Sequence, residues 1–284
     1  MARIDAHQHF WSLERGDYGW LTPDMKPIYR DFLPGDLKPL LSAAGIEGTI
    51  LVQAAPTVAE TEFMLGLAHD EPFIRGVVGW VDFEDPRGPD EIARLAGHSA
   101  LVGLRPMIQD IADDNWMLGE GLVTTFCALI DAELTFDALT LPRHLPALRE
   151  LLARYPNMRT VIDHGSKPLI RDGIMDGWDQ DMAALASETS AFCKLSGLVT
   201  EANADWTDDD LRPYVDHLLD TFGPDRLVWG SDWPVCTLAS SYRRWVDVTG
   251  ELLSGLAEDE KRAILGGNAA RAYRLRAPDS ADAE

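Results

Sequence analysis

The chain has 284 residues, 46% of them hydrophobic, with 47 acidic against 25 basic side chains and a formal net charge of −22. This composition supports a large core and excludes a disordered chain. The charge disfavours nucleic acid or any other polyanion as a partner. No run approaches the roughly 18 apolar residues that a membrane span needs, so no membrane association is expected. The N-terminus carries acid and histidine where a signal peptide would show a basic patch and then a long apolar stretch, which points to the cytoplasm. Cys127, Cys193 and Cys236 are widely spaced and form no CxxC pair. That argues against a disulfide framework or a cysteine zinc site, and their apolar neighbours predict packed thiols.

Eight short apolar runs rich in β-branched residues follow one another: RIDAHQHF, GTILVQAA, IRGVVGWVDF, LVGLRPMI, AELTFDAL, RTVIDHG, AFCKLSGL and RLVWGSDWP. Segments with helical spacing separate them. Residues 36–44 read as a helix with Asp36 as N-cap and Gly45 as the stop. Thr57 and Glu60 form a capping-box pattern before FMLGLAH. Residues 89–95 form another candidate, ended by Gly97. The stretch HLPALRELLARYP carries leucines at 145, 148, 151 and 152, closed by Pro156. Further helical stretches cover 178–187, 208–222 and 241–256. Strand and helix alternating eight times predict an α/β fold, a (β/α)₈ TIM barrel in a single domain over residues 1–276. The last residues, 277–284, are small, polar and acidic and read as a disordered tail. The competing fold, an open doubly wound sheet, usually shows a glycine-rich turn after its first strand. Here that place is taken by HFWSLERGDYGW.

A barrel of this kind builds its active site at the C-terminal ends of the strands. Those ends carry His7 and His9, Gln53, Trp80 and Asp82, Arg105, Asp137, Asp163 and His164, Lys194 and Ser196, and Asp232. Strand side chains repeat with a period of two, so His7 and His9 share a side. They can bind one ion or one substrate, and Asp232 can add an oxygen ligand across the mouth. The alternative is a pair of histidines satisfied by hydrogen bonds. Arg105 suits a carbonyl, a carboxylate or a sugar oxygen; its bland alternative is an ion pair with Asp82 or Asp137. Gln53 and Asp82 are candidate hydroxyl binders or braces. Trp11, Trp80, Trp116 and Trp233 fall in or near mouth loops, where aromatic faces stack on sugar rings. Lys194 faces the interior as a charge partner for Asp163 or Asp232. No GxSxG elbow, cysteine–histidine pair or dinucleotide fingerprint is present in the sequence.

The segments IDAHQHFW, LRPMIQD, IDHGSKP, CKLSGL and GSDWP, in this order, resemble the amidohydrolase superfamily. More narrowly, they are similar to its group of TIM-barrel hydrolases that includes sugar lactonases of the L-fuconolactonase and L-rhamnonolactonase type. The resemblance runs from about Arg3 to Leu275. It implies a site at the barrel mouth, with His7 and His9 as first-strand histidines, His164 on the sixth strand and Asp232 on the eighth. Binuclear members carry a lysine or glutamate on the fourth strand and a histidine on the fifth. Here Arg105 stands at the first place, and Asp137 and His144 are the nearest candidates for the second. The resemblance therefore implies one divalent ion, zinc, on His7, His9 and Asp232, or none at all.

The function expected is opening of a neutral sugar lactone of the L-fucono, L-rhamnono or L-galactono type. Asp232 would act as general base and His164, with Arg105, would hold the carbonyl oxygen. Gln53, Trp80, Asp82 and Trp11 would position the ring. The alternatives are hydrolysis of a carboxylated lactone (pyrone dicarboxylate or muconolactone type), a decarboxylase on the same barrel, or a non-enzymatic sugar-binding protein. A carboxylated substrate would need several cations at the mouth, for which the sequence offers Arg105, Arg143 and His144. Either a monomer or a homodimer is compatible with the sequence.

Overall fold

Each of the eight apolar runs contains one strand in the computed structural model, which describes residues 2–275. The strands are β1 (Ile4–Gln8), β2 (Gly48–Val52), β3 (Ile74–Gly79), β4 (Leu101–Leu104), β5 (Thr135–Ala138), β6 (Thr160–Ile162), β7 (Phe192–Leu195) and β8 (Leu227–Trp229). They lie parallel and in sequence order in one sheet. A parallel Gln8–Trp233 bridge joins the first strand to the segment after the last. There Asp232 N donates to His7 O at 2.7 Å and His9 N to Trp233 O at 2.7 Å. The barrel thus closes at the residues that the sequence marks for chemistry. Gly230 permits this closure: a Cβ at that position would lie 2.6 Å from the Cβ of His7.

Helices α1 (Pro34–Ala44), α2 (Val58–Asp70), α3 (Gly88–Leu95), α4 (Val123–Asp131), α5 (Leu145–Arg154) and α6 (Trp178–Glu188) follow the first six strands in turn. The short α7 (Leu198–Glu201) and the long α8 (Asp208–Phe222) follow β7. After β8 come α9 (Tyr242–Leu252), α10 (Glu258–Arg262) and α11 (Asn268–Ala272). The apolar spacing of α5 turns Leu145, Leu148, Leu151 and Leu152 inward, all buried. Gly45 ends α1 in the left-handed conformation, as expected. Asp36, however, lies inside α1, where its carboxylate accepts the Leu33 N–H at 3.0 Å. Helix α4 has no counterpart among the helical segments marked in the sequence. The thiols of Cys193 and Cys236 are buried, whereas Cys127 is exposed on α4, contrary to the reading of three packed thiols. No helix among the described residues is long and apolar enough to cross a membrane. The proposed tail at 277–284 lies outside the described residues.

The apolar shell between sheet and helices forms the main core. Inside the barrel, Ile4, Ala6, Ile50, Val52, Val78, Val161 and Val228 form a second cluster, which Ala269, Ala272 and Tyr273 join. Thr135, at the start of β5, donates its hydroxyl to Ala272 O at 2.7 Å, which places α11 at the N-terminal end of the barrel. The chain's last described helix therefore plugs the end opposite the strand termini that carry the ionisable groups.

Candidate active site

A column of charge runs up the barrel from that plug. Tyr273 donates to Asp137 Oδ2 at 2.7 Å, and Lys194 Nζ donates to the same oxygen at 2.6 Å. Lys194 also lies 2.8 Å from Asp163 Oδ1 and 3.2 Å from His7 Nδ1. Asp137, Asp163, Lys194 and His7 are fully buried. One ammonium thus stands against two carboxylates, which makes a buried lysine tolerable. Arg105 continues the column: its Nη1 lies 3.3 Å from Asp163 Oδ2 and 3.2 Å from His7 Nε2. The ion pair anticipated between Lys194 and Asp163 is present, whereas Arg105 pairs with Asp163 and not with Asp82 or Asp137, the partners expected for it. Burial pushes the Asp137 carboxyl up to about 6, against the pull of Lys194. For Asp163, burial also pushes upward, but Lys194, His7 and Arg105 outweigh it and hold the carboxyl well below the usual range.

Above the column the imidazoles converge on Asp232. His9 Nε2 lies 3.2 Å, His7 Nε2 3.7 Å and His164 Nε2 4.0 Å from Asp232 Oδ1. All four side chains are buried or nearly so. Burial drives His164 down to about 4 and His7 well below its ordinary value, so both are neutral at pH 7. Burial raises Asp232, but His164, His9 and His7 outweigh it and keep the carboxyl below the usual range. The site therefore offers an anion and a neutral imidazole side by side, environments that separate a proton acceptor from a hydrogen-bond donor.

Backbone conformation sets these side chains. Residues 164–167 all lie in the left-handed region, with φ of 55° for His164, 57° for Gly165, 59° for Ser166 and 53° for Lys167. Asp232 shares this conformation, with φ 58°. For non-glycine residues it costs roughly 1–2 kcal/mol each. Local bonds offset the cost: Trp178 Nε1 donates to Gly165 O at 2.7 Å, and the Thr140 and Ser166 hydroxyls meet at 2.8 Å. Gly197 leaves room for the imidazole, since a Cβ there would approach His164 Nδ1 to 2.5 Å. Such strain is characteristic of functional positions.

The donor set bears on a metal. His9 Nδ1–H donates to Val52 O at 2.8 Å, so a neutral His9 turns the lone pair of Nε2 toward Asp232 Oδ1. Two acceptors then face each other unless a cation lies between them. A ligating histidine commonly ties down its other nitrogen on a carbonyl in this way. Ligand atoms of His7, His9 and Asp232 lie within 4.8 Å of one another, and the same holds for His7, Asp163 and His164. The two sets share His7, so they do not form separate sites. The Arg105 guanidinium and the Lys194 ammonium flank that histidine, and neither can ligate a metal while charged. The residues His9, Asp232 and His7 therefore fit a divalent ion.

A cavity of about 250 Å³ opens at this cluster, lined by His9, Arg105, His164 and Asp232 together with Trp20, Met25, Ala54, Met107, Gln109, Asp110, Leu139, Lys167 and Val235. Gln53 and Trp11 line neither this cavity nor the neighbouring one. Gln53 Nε2 donates to Arg105 O at 2.8 Å, and the Gln53 main-chain carbonyl accepts from Arg105 Nη2, so this residue braces the arginine. Trp11 is fully buried, donates to Arg30 O at 2.7 Å and packs edge-on to Trp20. Trp20 forms the wall in its place, held by a 2.7 Å bond from its Nε1 to Ala54 O. The Thr57 hydroxyl accepts from Glu60 N as the capping pattern predicts, but the Glu60 carboxylate turns to the N–H groups of Ala54 and Ala55. Trp80 and Asp82 line the neighbouring cavity. His144 and Arg143 stay outside both: the former accepts Leu141 N–H at 3.0 Å, and the latter pairs with Asp114.

A model of the amidohydrolase family matches residues 4–275. The chain belongs to the amidohydrolase family. An L-fucono-1,5-lactonase of Burkholderia ambifaria is 43% identical to this amidohydrolase and covers 97% of either chain. An L-fucono-1,5-lactonase of Burkholderia multivorans is 39% identical over 99% of this chain and 98% of its own. A solved amidohydrolase of Burkholderia multivorans, crystallised with bound zinc, superposes with a TM-score of 0.91 at 38% identity, over 97% of this chain and all of that one. Trp20 and Lys167 are among the cavity residues of this amidohydrolase that the sequence analysis does not single out. Lys167 stands in the IDHGSKP segment already singled out, and Trp20 in the long loop after β1, where barrel enzymes commonly place binding residues.

Proposed function

We propose that this amidohydrolase opens a 1,5-lactone of a neutral six-carbon sugar acid, of the L-fucono type, to the aldonate. The observation that carries the reading is the Asp232 anion 4.0 Å from the neutral His164, both lining a cavity of about 250 Å³. The similarity to two proteins named L-fucono-1,5-lactonase, at 43% and 39% identity over nearly the whole chain, supports the choice of sugar. Arg105 and Lys167 are the only cationic side chains among the lining residues, and Asp110 and Asp232 oppose them. That balance suits a neutral lactone better than a dicarboxylate.

In this mechanism Asp232 takes a proton from water as the water attacks C1 of the lactone. A strongly ionised carboxylate is a modest base, so its contribution rests on position as much as on basicity. If Ser196 donates to His164 Nδ1, 2.9 Å away, the neutral ring keeps its proton on Nε2. That N–H and the Arg105 guanidinium then hold the carbonyl oxygen as it gains charge. When the tetrahedral intermediate collapses, Asp232 returns its proton to the departing ring oxygen, and the new carboxylic acid ionises to water. One zinc ion, when bound by His9, Asp232 and His7, would supply a Lewis acid and lower the pKa of a bound water.

Two measurements test this. The profile of kcat/KM against pH should be flat near neutrality and fall as pH drops through about 4, because protonated His164 no longer matches the proton inventory of the mechanism. A fall centred near pH 6.5 would give the imidazole its ordinary titration and remove it from this role. Equilibrium dialysis with zinc followed by metal analysis should find one ion per chain, and His9→Ala should lose it. Two ions per chain, or none, would contradict the metal assignment.

A further inference from the structure

A second cavity, of about 460 Å³, adjoins the catalytic one, and Trp20, Met107 and Asp110 line both. It contains none of the imidazoles, and it is larger than the cavity at the reacting groups. Trp20, Trp80 and Trp116 give it three indole walls. Its ionisable lining is entirely acidic: Asp82, Glu84 and Asp110 are exposed, Asp17 joins them, and no lysine or arginine contributes. Trp116 adds a donor. Its Nε1 is buried without an acceptor among the described residues, although buried indole N–H groups usually find one.

Indole faces, carboxylate acceptors and a single unsatisfied N–H form a complementary set for a pyranose ring. The apolar C–H face of a sugar stacks on aromatic rings, its hydroxyls donate to carboxylates, and a hydroxyl oxygen can accept from the indole. An anionic group would meet like charge at Asp82, Glu84 and Asp110, with no lysine or arginine in the lining to offset it. The catalytic cavity alone has the scale of a small ligand, and the pair together leaves the outer cavity to a substituent on the lactone.

We propose that the outer cavity is a subsite for a second, neutral sugar ring, so that the enzyme opens glycosylated aldonolactones in which the lactone occupies the inner cavity and the glycosyl group the outer one. This rests on the lactonase reading above.

The test uses L-fucono-1,5-lactone and its three glucosylated forms, substituted at O2, O3 or O4. At least one glucosylated isomer should be opened with a KM several-fold below that of the parent lactone. Trp116→Ala should raise the KM of that isomer about tenfold, the scale of a lost stacking contact with its hydrogen bond. The parent should stay within about twofold. Glu84→Gln, an exposed change that leaves packing untouched, should raise the KM of the same isomer and not that of the parent. If the wild type opens the parent lactone but none of the three isomers better, the subsite is overturned and the lactonase reading stands. If the advantage persists in both variants, the outer cavity is not its source, and the inference is again overturned. If neither the parent nor any isomer is opened, the failure belongs to the lactonase reading, and the subsite falls with it.

Discussion

Asp232→Asn is expected to lower kcat for lactone opening by about 10² to 10⁴, the range that a positioned general base contributes. The substitution preserves size and shape, and asparagine is among the residues that best tolerate the left-handed conformation found here, φ 58°. The backbone bond from Asp232 N to His7 O, 2.7 Å, does not depend on the side chain. The fold should therefore survive, with a melting temperature close to that of the wild type. What disappears is the negative charge toward which three imidazoles turn. The amide cannot take a proton from water, nor return one to the ring oxygen. The assay is single-substrate kinetics on L-fucono-1,5-lactone near pH 6.5, corrected for spontaneous opening. Turnover within a few-fold of wild type would remove Asp232 from the chemistry and leave it as a structural anion.

Lys194→Met should have the largest effect on stability. It leaves Asp137 and Asp163 buried with their shared cation gone, and breaking a buried pair in this way typically costs about 3–5 kcal/mol. The pH dependence has a definite sign. In the wild type, the Asp163 pKa is depressed by Lys194, so this group stabilises the fold above the ordinary carboxylate pKa, and that stability is lost as pH falls through the lower folded value. In the variant, burial acts with less opposition and the folded pKa of both carboxyls rises. The deficit relative to wild type should therefore be greatest near pH 7.5 and shrink toward pH 4.5, where the acids can take up protons. Denaturant unfolding at the two pH values measures it. A loss under about 1 kcal/mol, or the same loss at both pH values, would mean that Arg105 and Tyr273 already compensate the two acids.

The barrel was legible because its signals are local. Eight β-branched runs, each containing one strand, and leucines at helical spacing on α5 require only the periods of strand and helix. The shared place of His7 and Asp232 was legible as well, because strand ends in a parallel barrel gather at one rim. Partner choice was less accessible. Asp163, rather than Asp82 or Asp137, meets Arg105 because the interior angles of the barrel decide it, and no spacing in the chain encodes those angles. The exchange of Trp11 for Trp20 as a cavity wall has the same origin: both are loop tryptophans, and tertiary contacts separate them, with Trp11 buried against Tyr18, Phe32 and Arg30 O while Trp20 is tied to Ala54 O and half-buried. Cys127 looked like a core thiol because its neighbours on α4 are apolar, but it lies on the solvent face of that helix. The capping signal at Thr57 was half right, since Glu60 found stronger partners in two backbone N–H groups beside the cavity.

The most direct measurement follows L-fucono-1,5-lactone by proton NMR with the purified protein, near neutral pH. The account predicts conversion to the open-chain aldonate far above the spontaneous rate, with one proton released per lactone opened. A rate equal to the spontaneous one for this lactone, and for the L-rhamnono and L-galactono lactones beside it, would contradict it.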